Sequence, residues 1–406
     1  MKKYSIVPKV LLGAVASVSF YSVALATQQS GFNPDISLTL DGRYGSYSND
    51  SDYELPGFML GGEANRGEQG FHLGHNELSI SSNIDDMFFG KLTTAIADHE
   101  GETEVELEEA YIETLTLDYG IKVKAGRFYS DIGYLNNQHG HVWDFMDAPL
   151  IYRGFFGDQL VDDGLQLSWL VPTDIYFKVG IEAGRGERFP AGGAANDGNG
   201  AQAAFVKFGG DVGVSNAWQL GFSHWRADIE GRESGAHDGH AGAVSEVPTY
   251  SGESQVSGVD FIWKWSPNGN SREQNLKIQA EYFTREEDGV VELAGSSPLE
   301  LTTYQGKQAG WYLQSVYQFI PRWRVGYRYD YLGVNNQGSD AAVLAEAGLD
   351  DEGHNPQRSA LMLDYSHSEF SRIRLQLAQD DSYEDSDTLF FIQYIVTLGA
   401  HGAHRF

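Results

Sequence analysis

A chain of 406 residues with a formal net charge of −29 and no cysteine is too acidic to favour nucleic acid as a partner and holds no disulfide framework. Its mean hydropathy of −0.36 is too polar for a bundle of membrane helices. The 48 glycines and 13% aromatic residues suit many strands joined by many turns.

In chain order the first element is a leader. Lys2, Lys3 and Lys9 surround the start of an apolar run from Val10 to Leu25, and Ala24-Leu25-Ala26 offers a small-residue cleavage site. Residues 1–26 therefore read as a secretory signal peptide cut after Ala26, with 27–406 as one domain. The run is shorter and more interrupted than the ~20 apolar residues that a spanning helix needs. Export also fits the missing thiols.

Strict alternation follows. Val105, Leu107, Tyr111 and Leu115 share a face, but so do Glu109 and Glu113, so a bulge after Leu107 or a buried subunit contact is needed there. Ile175, Phe177, Val179 and Ile181 oppose Tyr176, Lys178 and Glu182. Val259, Phe261, Trp263 and Trp265 oppose Asp260 and Lys264. Leu276, Ile278, Ala280 and Tyr282 oppose Lys277, Gln279 and Glu281. Trp323, Val325, Tyr327, Tyr329 and Tyr331 oppose Arg322, Arg324, Arg328 and Asp330. Ile373, Leu375 and Leu377 oppose Arg372, Arg374 and Gln376, and Phe390, Ile392, Tyr394, Val396 and Leu398 form the last apolar row. A strand sorts such rows, whereas a helix scatters them.

A soluble sandwich also alternates, with its apolar face toward a core. Here the opposite faces carry charge, as a water-filled lumen tolerates. Short connections near 83–87, 117–120, 171–174, 211–216, 266–272, 320–322 and 369–371 alternate with long, Gly-rich ones near 48–70, 129–162, 185–200, 228–253, 286–306 and 335–356, and with brief ones near 98–103 and 381–387. The expected fold class is all-β: a transmembrane antiparallel up-and-down β-barrel of about sixteen strands of ~10 residues, with short periplasmic turns and long extracellular loops. Lipid cannot satisfy an open sheet edge, so the barrel must close. Trp169, Trp218, Trp263, Trp265, Trp311 and Trp323 fall near strand ends, where aromatic girdles sit.

The whole mature chain resembles Gram-negative outer-membrane porins. The stretches LEEAYIETL (107–115), KAGRFYSDIGYLN (124–136), HVWDFMDAPLIYR (141–153) and LGAHGAHRF (398–406) resemble a group of porin-like proteins sometimes described as zinc-regulated. The terminal Phe406 resembles the assembly signal of such proteins. The resemblance implies an outer-membrane location among lipid and lipopolysaccharide, insertion by the barrel-assembly machinery through Phe406, and a homotrimer. The implied function is a passive diffusion channel for small hydrophilic solutes. A plugged receptor barrel needs about twenty-two strands, for which the chain has no room.

The same resemblance implies that one long loop folds inward, and 129–162 is the candidate constriction. It carries Asp131, His139, His141, Asp144, Asp147 and Asp158, an acidic set that favours cations. Lys122, Lys124, Arg322, Arg324, Arg328, Arg372 and Arg374 have lumen parity and form a candidate basic wall. Loop and wall either set up a transverse field or, if the wall pairs with Asp330, Asp364 and Asp380, leave little of one.

Eight of the 12 histidines form close pairs: His72/His75, His139/His141, His237/His240 and His401/His404. Imidazole suits zinc, copper or nickel, so His139 and His141, together with His237, Asp238 and His240, are candidate ligands in a zinc-capturing alternative. No pair closes a four-ligand site, which predicts weak zinc binding and no resident cofactor. No GxSxG, HExxH or phosphate-loop motif occurs, and Ser223-His224 and Ser366-His367 point to opposite faces of a strand, so no enzyme is expected.

Overall fold

The computed structural model describes residues 34–49, 55–61, 64, 67, 69–99, 102–192, 199–234, 247–296, 298–350, 353–382 and 386–400. The expected leader 1–26, the trio His237, Asp238 and His240, and Phe406 lie outside the described residues.

The strands in chain order are β1 (Asp35–Tyr47), β2 (Gly70–Leu73), β3 (Asn76–Asn83), β4 (Phe88–His99), β5 (Glu102–Thr114), β6 (Ile121–Tyr129), β7 (Val161–Leu170), β8 (Tyr176–Gly184) and β9 (Ala201–Val212). They continue as β10 (Asn216–Glu233), β11 (Val247–Trp265), β12 (Asn275–Ala294), β13 (Glu300–Ile320), β14 (Trp323–Gly338), β15 (Gln357–Ser368), β16 (Ser371–Asp381) and β17 (Asp387–Gly399). From β3 onward each pairs antiparallel with the next, as in β12 with β13 and β15 with β16. One edge of β1 pairs with β17, Leu38 opposite Leu398. Its other edge pairs with both β2 and β3. These two segments are one wall strand interrupted at Gly74-His75, so the sheet closes as a sixteen-stranded barrel.

The apolar rows face outward. Leu40, Ile181, Tyr327, Leu375, Ile392 and Tyr394 are all exposed, whereas Arg328, Asp330, Arg374 and Gln376 on the opposite faces are buried. This is the sorting that lipid outside and polar contents inside impose. Trp218 opposes Trp263 on the outer face near the short turns, and Tyr282 opposes Trp311 toward the long loops.

The bulge falls where the parity of β5 demands it. Thr94 opposes Leu107 and Thr93 opposes Glu109, leaving Glu108 as the extra residue. Val105 and Leu107 stay outside, while Glu108, Glu109 and Tyr111 are buried inside. Tyr111 therefore does not share the face of Val105 and Leu107, because the inserted residue shifts everything beyond it by one place.

Strands β10 to β14 are longer than ~10 residues, with 18, 19, 20, 21 and 16 residues respectively. Their long-loop halves invert the pattern. In β12 the lower half puts Ile278 and Tyr282 outside and Gln279 and Glu281 inside. The upper half exposes Glu286 and Asp288 and fully buries Val291 and Leu293. Here the outer solvent is water, and the inner face packs with Leu55, Phe58, Leu344 and Leu349 from the long loops. Alternation read for lipid stops at this inversion, which is why the connections 228–253 and 286–306 are shorter than expected.

Two positions on the outer wall test this division. Leu375→Arg in the lipid-facing band should destabilise the barrel by about 2–4 kcal/mol, read as a lower midpoint of urea unfolding in lipid vesicles. Thr303→Arg, on the outer face of the projecting part of β13, should leave that midpoint unchanged.

Candidate functional site

The segment between β6 and β7 lies inside the barrel. Its neck is closed by Asn136, whose side-chain amide donates to the carbonyls of Ser130 and Leu160, both at 2.9 Å, and whose Oδ1 accepts from Leu160 N at 2.7 Å. Pro149 precedes a short helix, α1 (Leu150–Phe156), which ends at Gly157 in the left-handed region, φ 62°. All seven residues of α1 are buried. Tyr152 and Phe156 meet Phe283 edge-on, and Arg285 stacks 4.8 Å over Phe155 while donating to Gly154 O at 3.1 Å.

Polar contacts then tie the segment to most of the wall. Lys178 of β8 reaches Asp131 at 2.6 Å, and Lys207 of β9 donates to Gly133 O at 2.9 Å. Glu281 of β12 accepts from the backbone N–H groups of Tyr134 (2.9 Å) and Leu135 (3.0 Å) and from Tyr152 Oη at 2.8 Å. Asp144 pairs with Lys277 and, at 2.9 Å, with Arg324. Asp147 pairs with Arg358 and, at 3.2 Å, with Arg328, and accepts from Gln376 at 2.7 Å. Arg374 donates to Trp143 O at 2.7 Å and Arg372 to His141 O at 2.5 Å.

Of the two arrangements left open by the sequence, a transverse field or a paired wall, the contacts are those of the paired wall. The wall cations are shared further with wall carboxylates: Arg324 and Arg374 with Asp364, Arg328 with Asp330 and Arg358 with Asp380. Four candidates make other contacts. Arg322 is not on the wall. It occupies the turn before β14 with φ 75° and is exposed, since the strand starts only at Trp323. Asp158, at φ 80°, faces Arg153 of its own segment at 3.7 Å. Lys122 pairs with Glu113 at 2.8 Å, while Lys124 is buried 4.9 Å from the Tyr111 ring and 5.2 Å from that of Phe128.

On the β3–β5 side, residues 139–141 meet three carboxylates, of which alternation marked only Glu109. His139 Nε2 is 2.7 Å from Glu109, and its Nδ1 is 3.0 Å from Glu77 and 3.6 Å from Glu108. His141 Nδ1 is 2.9 Å from Glu77, His75 contacts Glu108, and Lys91 reaches Glu109 at 2.5 Å. Glu108 was hidden by its bulge. Glu77 lies next to the strand break, where no long alternating run flags it.

Charge sets the protonation of the loop. Burial alone would raise the Asp144 and Asp147 carboxyls, but Lys277 and Arg324 around the first and Arg328 and Arg358 around the second hold both well below the usual range. Burial alone would lower the His139 imidazole, but the Glu77, Glu108 and Glu109 carboxylates raise it well above its ordinary value.

Asp147→Asn should weaken the seating of the segment by about 3–5 kcal/mol, because two buried guanidiniums lose their shared counter-charge. Limited proteolysis within 129–162 should accelerate in that variant. Because the folded pKa of Asp147 is depressed, its contribution is present above the unfolded value of about 3.9 and is lost only as pH falls through the folded one. Proteolysis of the unmodified protein at pH 4 by an acid-active protease should therefore remain slow.

No protein-family model matches the chain. Solved structures with the same fold include a loop-deletion form of OmpT, an outer-membrane protein of Vibrio cholerae (14% identity, TM-score 0.55, 90% of this chain and 99% of that one). They also include an anion-selective porin from Comamonas acidovorans (10%, 0.54, 90% and 99%) and the outer-membrane channel DcaP of Acinetobacter baumannii (12%, 0.53, 90% and 96%). A protein of Aquifex aeolicus strain VF5, described as "Uncharacterized protein", is 31% identical over 93% of this chain and 81% of its own length. The chain belongs to the same family as that Aquifex protein, and its fold is that of the porin-type outer-membrane barrels.

Proposed function

We propose that the protein is an outer-membrane channel for small hydrophilic solutes in which the segment 129–162 controls passage. The observation that carries this reading is the segment itself. It crosses a charged barrel interior and is held by ion pairs to strands on several sides. A barrel that served only as a wall or an adhesin would gain nothing from so many buried charges, each of which is costly to desolvate. The porin of Comamonas acidovorans and the DcaP channel, which share this fold, support the same reading. In it, the 1–26 leader exports the chain, the barrel-assembly machinery reads Phe406, and the barrel sits as a homotrimer among lipid and lipopolysaccharide.

Selectivity does not follow from the loop's acidity alone. Asp131, Asp144 and Asp147 each touch a wall cation, so their charge is largely cancelled before a solute meets it. A zinc-capturing second reading has a different support from the one expected, since His139 and His141 converge with wall carboxylates and His237, Asp238 and His240 are outside the described residues.

Planar-bilayer recording tests the channel. The unmodified barrel should give stable steps, and a variant with Asp144→Asn and Asp147→Asn should give larger, noisier ones. Identical steps from both would remove the controlling role of 129–162, and a silent barrel in both would remove the channel.

A further inference from the structure

Where residues 139–141 meet the wall, His75, Glu77, Glu108, Glu109, His139 and His141 converge. A ring nitrogen of His75 and one oxygen each of Glu77 and Glu108 lie within 4.8 Å of one another. His139 Nδ1 stands 3.0 Å from Glu77 Oε2 and 3.6 Å from Glu108 Oε2. Ligands bound at about 2.1 Å in a tetrahedron are roughly 3.4 Å apart, so His75, Glu77 and Glu108 need only a modest contraction to share one ion, and His139 stands beside the same two carboxylates. Glu108 Oε2 and His139 Nδ1 are buried and face each other without a well-directed hydrogen bond, Nδ1 keeping only its ion-pair contact with Glu77. Buried polar atoms are rarely left so.

The backbone builds this arrangement with two departures from regular strand. The interruption at Gly74-His75 sets His75 beside Glu77, and the β5 bulge turns Glu108 inward next to Glu109. Between them, the small buried residues Thr93 and Ala95 of β4 leave space to the longer side chains, while Lys91 of the same strand reaches Glu109 and stands 3.1 Å from His139 Nε2.

We propose that His75, Glu77, Glu108 and His139 bind a divalent transition metal of the zinc class. Two imidazole nitrogens and two carboxylate oxygens suit such an ion, whereas magnesium and calcium prefer oxygen alone. The surrounding groups fit the supporting role that metal ligands need. Glu109 takes the far nitrogen of His139 at 2.7 Å, Tyr129 donates to the other oxygen of Glu108 at 2.9 Å, and His141 holds the other oxygen of Glu77 at 2.9 Å. Binding releases the imidazole protons to water. Three ligands come from the wall and one from 129–162, so the ion ties the segment to β3 and β5. The site does not require that solutes pass through the barrel.

The test uses the full mature chain, refolded in detergent and stripped with a chelator. Zinc titration by calorimetry should saturate at one equivalent, cobalt should produce visible d–d absorption, and magnesium should do neither. Glu108→Gln and His139→Ala should each lower zinc affinity at least about tenfold and abolish the cobalt bands. His224→Ala, on the outer face, should change nothing. Resistance to unfolding in cold SDS shows that each variant is folded. No saturable heat with zinc, or unchanged affinity in folded Glu108→Gln and His139→Ala, overturns the proposal. Bilayer recording on the same samples separates this from the channel reading, because steps without metal binding sink only the metal site.

Discussion

Hydrocarbon offers no hydrogen bonds, and the rest of this structure follows from that. Every backbone N–H and C=O at membrane depth must find a partner within the protein. The chain meets this by pairing each strand with its successor and by closing β1 on β17 and on the β2–β3 strand. Closure creates an inside and an outside, and side-chain alternation then divides residues between them. The wall strand broken at Gly74-His75 shows how little slack the rule leaves. Its two halves both stay on the edge of β1, so the ladder continues past the gap.

Closure also confines charge. The guanidiniums of Arg328, Arg358 and Arg374 are almost wholly removed from water, which is unfavourable unless each is paired and hydrogen-bonded. Wall carboxylates supply part of this, and the segment 129–162 supplies the rest through Asp144, Asp147 and backbone carbonyls. The segment is thus the counter-ion of the wall as well as its neighbour. That reciprocity explains why an irregular stretch of chain can hold one place inside a barrel. Each anchor it makes also satisfies a group that the wall could not leave alone.

The outward rows, the turn positions and the strand total were legible in the sequence because each depends on a pattern of period two. Tyr327, Leu375 and Ile392 face out as their spacing requires, and of the two readings of the parity fault around Glu109, a bulge or a subunit contact, the bulge is the one present. What could not be read is what period two does not encode. Arg322 has wall parity yet sits in a turn, since parity does not say where a strand begins. The pairing of Asp144 with Lys277 joins positions far apart in the chain, and only the path of the loop brings them together. The cluster around His139 needed both irregularities at once: the bulge at Glu108 and the break at Gly74-His75. Neither leaves an alternating run behind it.

The reversal of face along β12 and its neighbours has a mechanical consequence. Glu286 and Asp288 point outward just above Tyr282 and the Trp311 opposite it, so sinking the barrel by one further turn of side chains would push carboxylates into acyl chains. Raising it would lift Tyr282 and Trp311 out into water. One continuous strand thus acts as a float line. It sets the depth at which the cylinder rides on this side, independently of what the loops inside it are doing.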